Sequence, residues 1–220
     1  IIQPLLRTPE NPKGKVIQIP INTPLSEIGL LRLATNKHEQ AGAFTQVQPK
    51  GYLKFVTIMD SLEKTGTWEG VKLGTVVLDS FTTMQEHLKR LLMAANSKSS
   101  MTLPLYGVLL SNLEEINNTL MRLPMNVIVT AHQKLEKDEL TGRIIYKPLI
   151  EGQMADKIVK DFEEAYYMQK TIVGMGAATK ATYEMMTIGD HMHTMARTSR
   201  SLPALAEPNF CKIYGIKEGV

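Results

Sequence analysis

A single cysteine, Cys211, occurs in the 220 residues, so no internal disulfide can staple this chain, and a small packing role suits that thiol better than a nucleophilic one. No apolar run approaches the roughly 20 residues that a bilayer-spanning helix needs, and no signal-peptide pattern is visible at the start. A reducing, cytoplasmic setting is the expectation. Charge of either sign is scarce in net terms: 25 basic against 22 acidic side chains leave +3. That balance permits contact with nucleic acid but supplies no strong electrostatic footprint. Internal repeats and low-complexity tracts are also missing, which excludes solenoids and arrays. Finally, no GxxxxGK[ST] occurs anywhere in the sequence, so a complete phosphate-cradling loop of that pattern is excluded from these residues.

What is present is ordinary globular material. Hydrophobic residues make up 43% and charged residues 21%, enough to build a core, and the length suits one domain spanning 1–220. The chain begins Ile1-Ile2 without methionine. The expectation drawn from this is a processed, truncated or partly observed product.

Along the chain, "RTPENPKGK" breaks structure before "VIQIPI", a short β-branched run ended by Pro20 and Pro24. "PLSEIGLLRLATNKHEQ" has Ser26 as a possible cap and an apolar face at Leu25, Ile28, Leu31 and Leu33. "GYLKFVTIMDSLEKTG" fits either a strand or a helix. "TVVLDS" reads as a strand, followed by a helix over about 82–95 with Met84, Leu88, Leu91 and Leu92 on one face. "NSKSSMTLPLYG" reads as a break, "VLLSNLEEINNTLMRLP" as a long helix stopped by Pro124, and "MNVIVTAHQ" as the most strand-like run. The last is apolar without alternation, as strands covered on both faces are. Strand, helix, helix, strand predicts a doubly wound α/β domain with a mainly parallel sheet. Residues 134–155 read as a flexible, charged loop, with Thr141-Gly142 as a hairpin tip or the apex of that loop. "EEAYYMQKTIV" and "TKATYEMMTI" read as a C-terminal antiparallel hairpin, and 196–220 as an irregular tail.

Three places carry chemistry. Asp79 ends an apolar strand at the edge where open α/β sheets bind ligands; a carboxylate there can hold Mg2+ beside a nucleotide's phosphates, with Ser80 next to it, or can simply cap the following helix. If the two strands are neighbours, Thr130, His132 and Gln133 emerge at the same edge, where a polar side chain can sense a γ-phosphate or orient water; the plain alternative is that His132 only begins a loop. Arg197 and Arg200 in "ARTSR" suit phosphate oxygens, though an exposed basic turn or a nucleic-acid contact fits equally. The nearest imitation of a phosphate loop, "GMGAATKAT" at 174–182, puts Thr179 and Ala181 where glycine and a hydroxyl are needed, and reads as a hairpin turn. Glu27 and Glu63 are available as water-activating acids, but such residues in helices usually face solvent.

"TVVLDSFTTMQEHL", "MRLPMNVIVTAHQKLEKDELTGRIIYKPLIEGQMADKI", "DFEEAYYM", "ARTSRSLP" and "EPNF", in that order over about 55–215, resemble the phage-encoded RecA-like ATP-binding proteins, the Sak-type ATPases of single-strand annealing recombination. The resemblance implies a RecA-like P-loop NTPase core, ATP and Mg2+ as cofactors, single-stranded DNA as partner and a homo-oligomer in rings or filaments. It gives Asp79 the role of the Walker B acid holding the metal, with Ser80 beside it; Thr130, from the reading of the strand edge, is counted with them as cofactor-binding. His132 and Gln133 match the polar end of the sensor strand. Arg197 and Arg200 match the basic segment that faces a neighbour's γ-phosphate. The departure is the absent phosphate loop, which that family carries upstream of the Walker B strand; a relative that has lost hydrolysis and serves as a binding scaffold is the alternative.

Overall fold

The computed structural model describes residues 50–139, 141–173, 180–209 and 212–213. The expected strand at "VIQIPI", the helix around Ser26, Glu27, the turn residues 174–179 and Cys211 lie outside them. The described chain forms two compact units. One runs to His132 and takes back Ile150–Met154; the other comprises Gln133–Leu149 and the chain from Ala155 on.

The first unit is built on three helices packed on one another. Helix α1, Lys50–Thr65, settles the ambiguous run as helix, because Tyr52, Phe55, Ile58, Met59 and Leu62 recur at helical spacing and are all buried. It ends at Gly66, whose φ of 64° suits glycine. A short antiparallel ribbon follows, β1 (Thr67–Trp68) with β2 (Val71–Lys72). Strand β3 is Thr75–Leu78 and helix α2 is Phe81–Ala95. Helix α3, Leu103–Arg122, buries Leu105, Leu109, Leu113, Ile116 and Leu120 on one stripe. It starts earlier than the sequence suggests. Pro104 stands in its first turn, where a missing N–H costs nothing, so this proline opens the helix instead of breaking the chain. Glu63 Oε1 accepts from Arg122 Nε at 2.7 Å, tying α1 to α3.

Strand β4, Asn126–Val129, lies parallel to β3, with Thr75 opposite Asn126 and Leu78 opposite Val129. A parallel pair needs a long crossover, and α2 and α3 supply it. The segment Ile150–Met154 completes this unit. Ile150 and Met154 are buried, the Glu151 N–H donates to Gln85 Oε1 at 2.7 Å, and Lys89 Nζ pairs with the Glu151 carboxylate.

In the second unit, β5 (Gln133–Lys137) and β6 (Ile144–Pro148) form an antiparallel hairpin. Of the two readings open for Thr141-Gly142, the hairpin tip is the one this ladder shows. Its turn is fixed by Gly142 at φ 69°, whose N–H reaches Asp138 O at 2.7 Å. Helix α4, Met154–Asp161, belongs to this unit from Ala155 on. Strands β7 (Tyr167–Val173) and β8 (Lys180–Met186) pair antiparallel along their full length, and β9 (Leu205–Ala206) adds a short third strand inside the supposedly irregular tail.

Among the described residues β3 and β4 are the parallel pair, and every other ladder is antiparallel. The two runs of this pair are continuous, β-branched and joined by a helical crossover. No helix of the described residues is long and apolar enough to cross a membrane.

Candidate functional site

Strands β3 and β4 end side by side, so the residues that follow them meet at one edge. The ladder continues one step beyond the strands, with Thr130 N donating to Leu78 O at 3.0 Å. That register sets Asp79 against Thr130, and the Thr130 hydroxyl donates to Asp79 Oδ1 at 2.6 Å. Both residues are exposed, as is His132 two positions on. An exposed carboxylate hydrogen-bonded to a hydroxyl is therefore held at the carboxyl end of a parallel pair, the position that ligands favour in α/β sheets, with His132 two residues further along the chain.

Local sequence ties this edge to the start of α2. The Asp79–Ser80 peptide bond is cis. Ser80 is the N-cap of α2: its side-chain oxygen accepts from Thr83 N at 3.2 Å and hydrogen-bonds the Thr83 hydroxyl at 3.0 Å. A serine cap of this kind contributes about 1 kcal/mol. Ser80 is buried and its hydroxyl is engaged, so what it offers the edge is position. Phe81 is fully buried and anchors the first turn of α2, while its N–H reaches across to Thr130 O at 2.8 Å. The Thr82 hydroxyl oxygen accepts from His132 N at 3.1 Å. Sequence reasoning missed Thr82, because a threonine in the first turn of an amphipathic helix carries no signal of a partner fifty residues away.

The oxygen donors at this edge fit a hard divalent cation. Asp79 supplies a carboxylate and Thr130 a hydroxyl. Among the described residues there is no cluster of three or more His, Cys, Asp or Glu that could hold a metal unaided. A magnesium ion fits that pattern, because it keeps several waters and takes one or two carboxylates together with phosphate oxygens.

The remaining expected residues fall in the second unit, and each is engaged there. Gln133 opens β5, and its Oε1 accepts from the Tyr167 hydroxyl. Burial pushes the Tyr167 phenol up, the Gln133 bond opposes this, and nearby Tyr146 adds to the rise. Arg197 donates from one guanidinium nitrogen to the carbonyls of Val159 at 2.7 Å and Lys160 at 2.9 Å, and to that of Phe162. It thus satisfies the orphan acceptors at the end of α4, where a cation also suits the helix dipole. Arg200 Nε lies 3.6 Å from Glu164 Oε1. Burial pushes the Glu164 carboxyl up, but hydrogen bonds from Ser199, Thr198 and Tyr166 outweigh it and bring the group down to about 2.

A further cluster in this unit had no signal in the motifs. His193 stacks on Tyr146, with ring centroids 4.7 Å apart and planes 2° from parallel, and tilts against Tyr167 at 4.2 Å. Asp190 Oδ1 accepts from His193 N at 2.6 Å and Met192 N at 2.8 Å, and lies 2.9 Å from His193 Nδ1. Those backbone N–H groups, opposed by a desolvation effect and aided by the His193 side chain, bring Asp190 down to about 2. The arrangement anchors the loop after β8 on the β5–β6 hairpin.

Compared with known proteins, the chain matches a family model described as an AAA domain over residues 29–200. No curated protein and no solved structure matches it.

Proposed function

The chain belongs to the AAA domain family of P-loop NTPases, and on that premise we propose that the edge formed by Asp79, Thr130 and His132 is the metal and water side of an ATP-hydrolysing site. Family membership carries an α/β P-loop NTPase-like fold and nucleotide binding. The observation that supports the specific reading is the 2.6 Å hydrogen bond from Thr130 to Asp79 across the parallel pair, which places a carboxylate at a ligand-binding strand end in a fixed orientation.

Asp79 would hold Mg2+ through water or directly. When bound, that ion supplies positive charge to phosphate oxygens. Thr130 keeps the carboxylate turned toward the edge and presents its own oxygen there. His132 is assigned the orientation of the attacking water in this reading. Arg197 is assigned no step, because its guanidinium is hydrogen-bonded to carbonyls of its own unit, and Gln133 is left out because its side chain accepts from Tyr167; Arg200, 3.6 Å from Glu164, is likewise given no step in this reading. No GxxxxGK[ST] in the sequence supplies the phosphate-cradling half of the site.

Action on single-stranded DNA in phage recombination or replication, and assembly into a homo-oligomer, are the finer parts of this proposal. They rest on the resemblance to the Sak-type ATPases. A second reading is favoured by the missing phosphate-loop motif: a RecA-like scaffold that binds DNA or a protein partner and no longer hydrolyses nucleotide.

Steady-state ATP hydrolysis separates the two. Asp79→Ala is expected to lose at least about 100-fold in turnover, as removal of a metal-holding or charge-stabilising group does, while its far-UV circular dichroism matches the parent. Equal turnover in the two proteins would remove Asp79 from the mechanism, and no Mg-dependent turnover in the parent would favour the scaffold.

A further inference from the structure

We infer that Thr82 is a positioning residue for the hydrolytic edge, acting through the backbone of His132. This rests on the reading of that edge as a hydrolytic site.

Two hydrogen bonds fasten the 130–132 segment to the first turn of α2. Phe81 N–H donates to Thr130 O at 2.8 Å, and His132 N–H donates to Thr82 Oγ1 at 3.1 Å. The first prolongs the strand register and needs no particular side chain at 81. The second depends on a hydroxyl at residue 82. Thr82 is 6% exposed, so its oxygen meets little competition from water, and it sits on a helix whose N-cap, Ser80, is itself bonded in place. Asp79 lies one residue before that cap. Thr82 and Asp79 are therefore fixed relative to each other by the start of one helix, and the Thr82 bond carries that reference to His132. Without it, β4 ends at Val129 and His132, exposed and outside the ladder, loses the one contact that sets its backbone against α2 among the bonds described. Reacting groups tolerate little displacement: a shift of about 1 Å costs on the order of 100-fold.

Two substitutions isolate the hydroxyl. Thr82→Val keeps the shape and removes the acceptor; Thr82→Ser keeps the acceptor and drops the methyl group. Thr82→Val is expected to lower kcat by about tenfold with the KM for ATP within about twofold, and Thr82→Ser to return kcat to near the parent value. In a His132→Ala background, Thr82→Val is expected to add nothing, because the side chain being positioned is gone. A kcat unchanged in Thr82→Val, a loss of equal size in both backgrounds, or no recovery with serine would each overturn the inference. A parent protein with no Mg-dependent turnover would instead mean that the hydrolytic reading has failed. In that case hydrogen exchange at the His132 amide decides the positioning claim alone: faster exchange in Thr82→Val than in Thr82→Ser supports it, and equal exchange overturns it.

Discussion

In the first unit, the polar residues that follow β3 and β4 stand exposed and side by side, and their support comes from beneath, through Ser80, Phe81 and Thr82. In the second unit the polar residues that sequence reasoning singles out are consumed by the fold. Gln133 receives a tyrosine hydroxyl, Arg197 closes a helix end, and Arg200 faces a carboxylate already held by three other side chains. The same kind of signal, a polar residue just after a strand or hairpin, thus has two fates. It marks a ligand edge where parallel strands end together, and a structural tie where antiparallel elements leave backbone acceptors unsatisfied.

That contrast can be broken or sharpened by measurement. The largest effect belongs to Asp79, whose removal is expected to take away turnover and leave the fold. Next comes Arg197→Ala, which removes a charged donor from the carbonyls closing α4. It should lower the stability of the second unit by about 1–2 kcal/mol, read from urea unfolding or from hydrogen exchange over 155–165, with turnover kept within about twofold. The reverse pattern, lost turnover with unchanged stability, would return Arg197 to the phosphate-facing role that the resemblance implies.

The smallest effect is a difference in acid sensitivity. Burial lowers the His87 imidazole from its usual 6.5, Arg90 lowers it further, and Glu86 opposes both. The unfolded chain therefore binds this proton more readily than the folded one. The stability that neutral His87 allows is present above about pH 6.5 and is lost as pH falls below it. Glu164, brought from 4.5 to about 2, works in a lower window. Its contribution is present above about pH 4.5 and disappears only as pH falls toward 2. Between pH 7 and 5, amide protection should decline in α2 and stay level around 164–167. A decline in both units together would erase the distinction.

Much of the first unit is legible in the sequence, because its periodicities are unmixed. Val76, Val77, Val127 and Ile128 form apolar, β-branched runs, and once those runs are adjacent the pairing of Asp79 with Thr130 follows from register. The helix at 103 is obscured by Pro104, whose effect depends on being in the first turn. The β5–β6 hairpin is harder to read. In β5 the inward and outward positions alternate in exposure, yet Gln133, Lys134, Glu136 and Lys137 are all polar, so polarity does not reveal the strand. The use of Arg197 is beyond sequence reading altogether. Nothing local says that the end of α4, about 37 residues upstream by the separations of its bonds, lies within reach.

The central claim is a nucleotide and metal site at the Asp79 edge, and the most direct test is the melting temperature of this 220-residue chain with ATP, with Mg2+, and with both. A ligand that binds only the folded state must raise it. The account predicts a rise that requires Mg2+ and ATP together and is lost in Asp79→Ala. No rise, or a rise of the same size in Asp79→Ala, would contradict it.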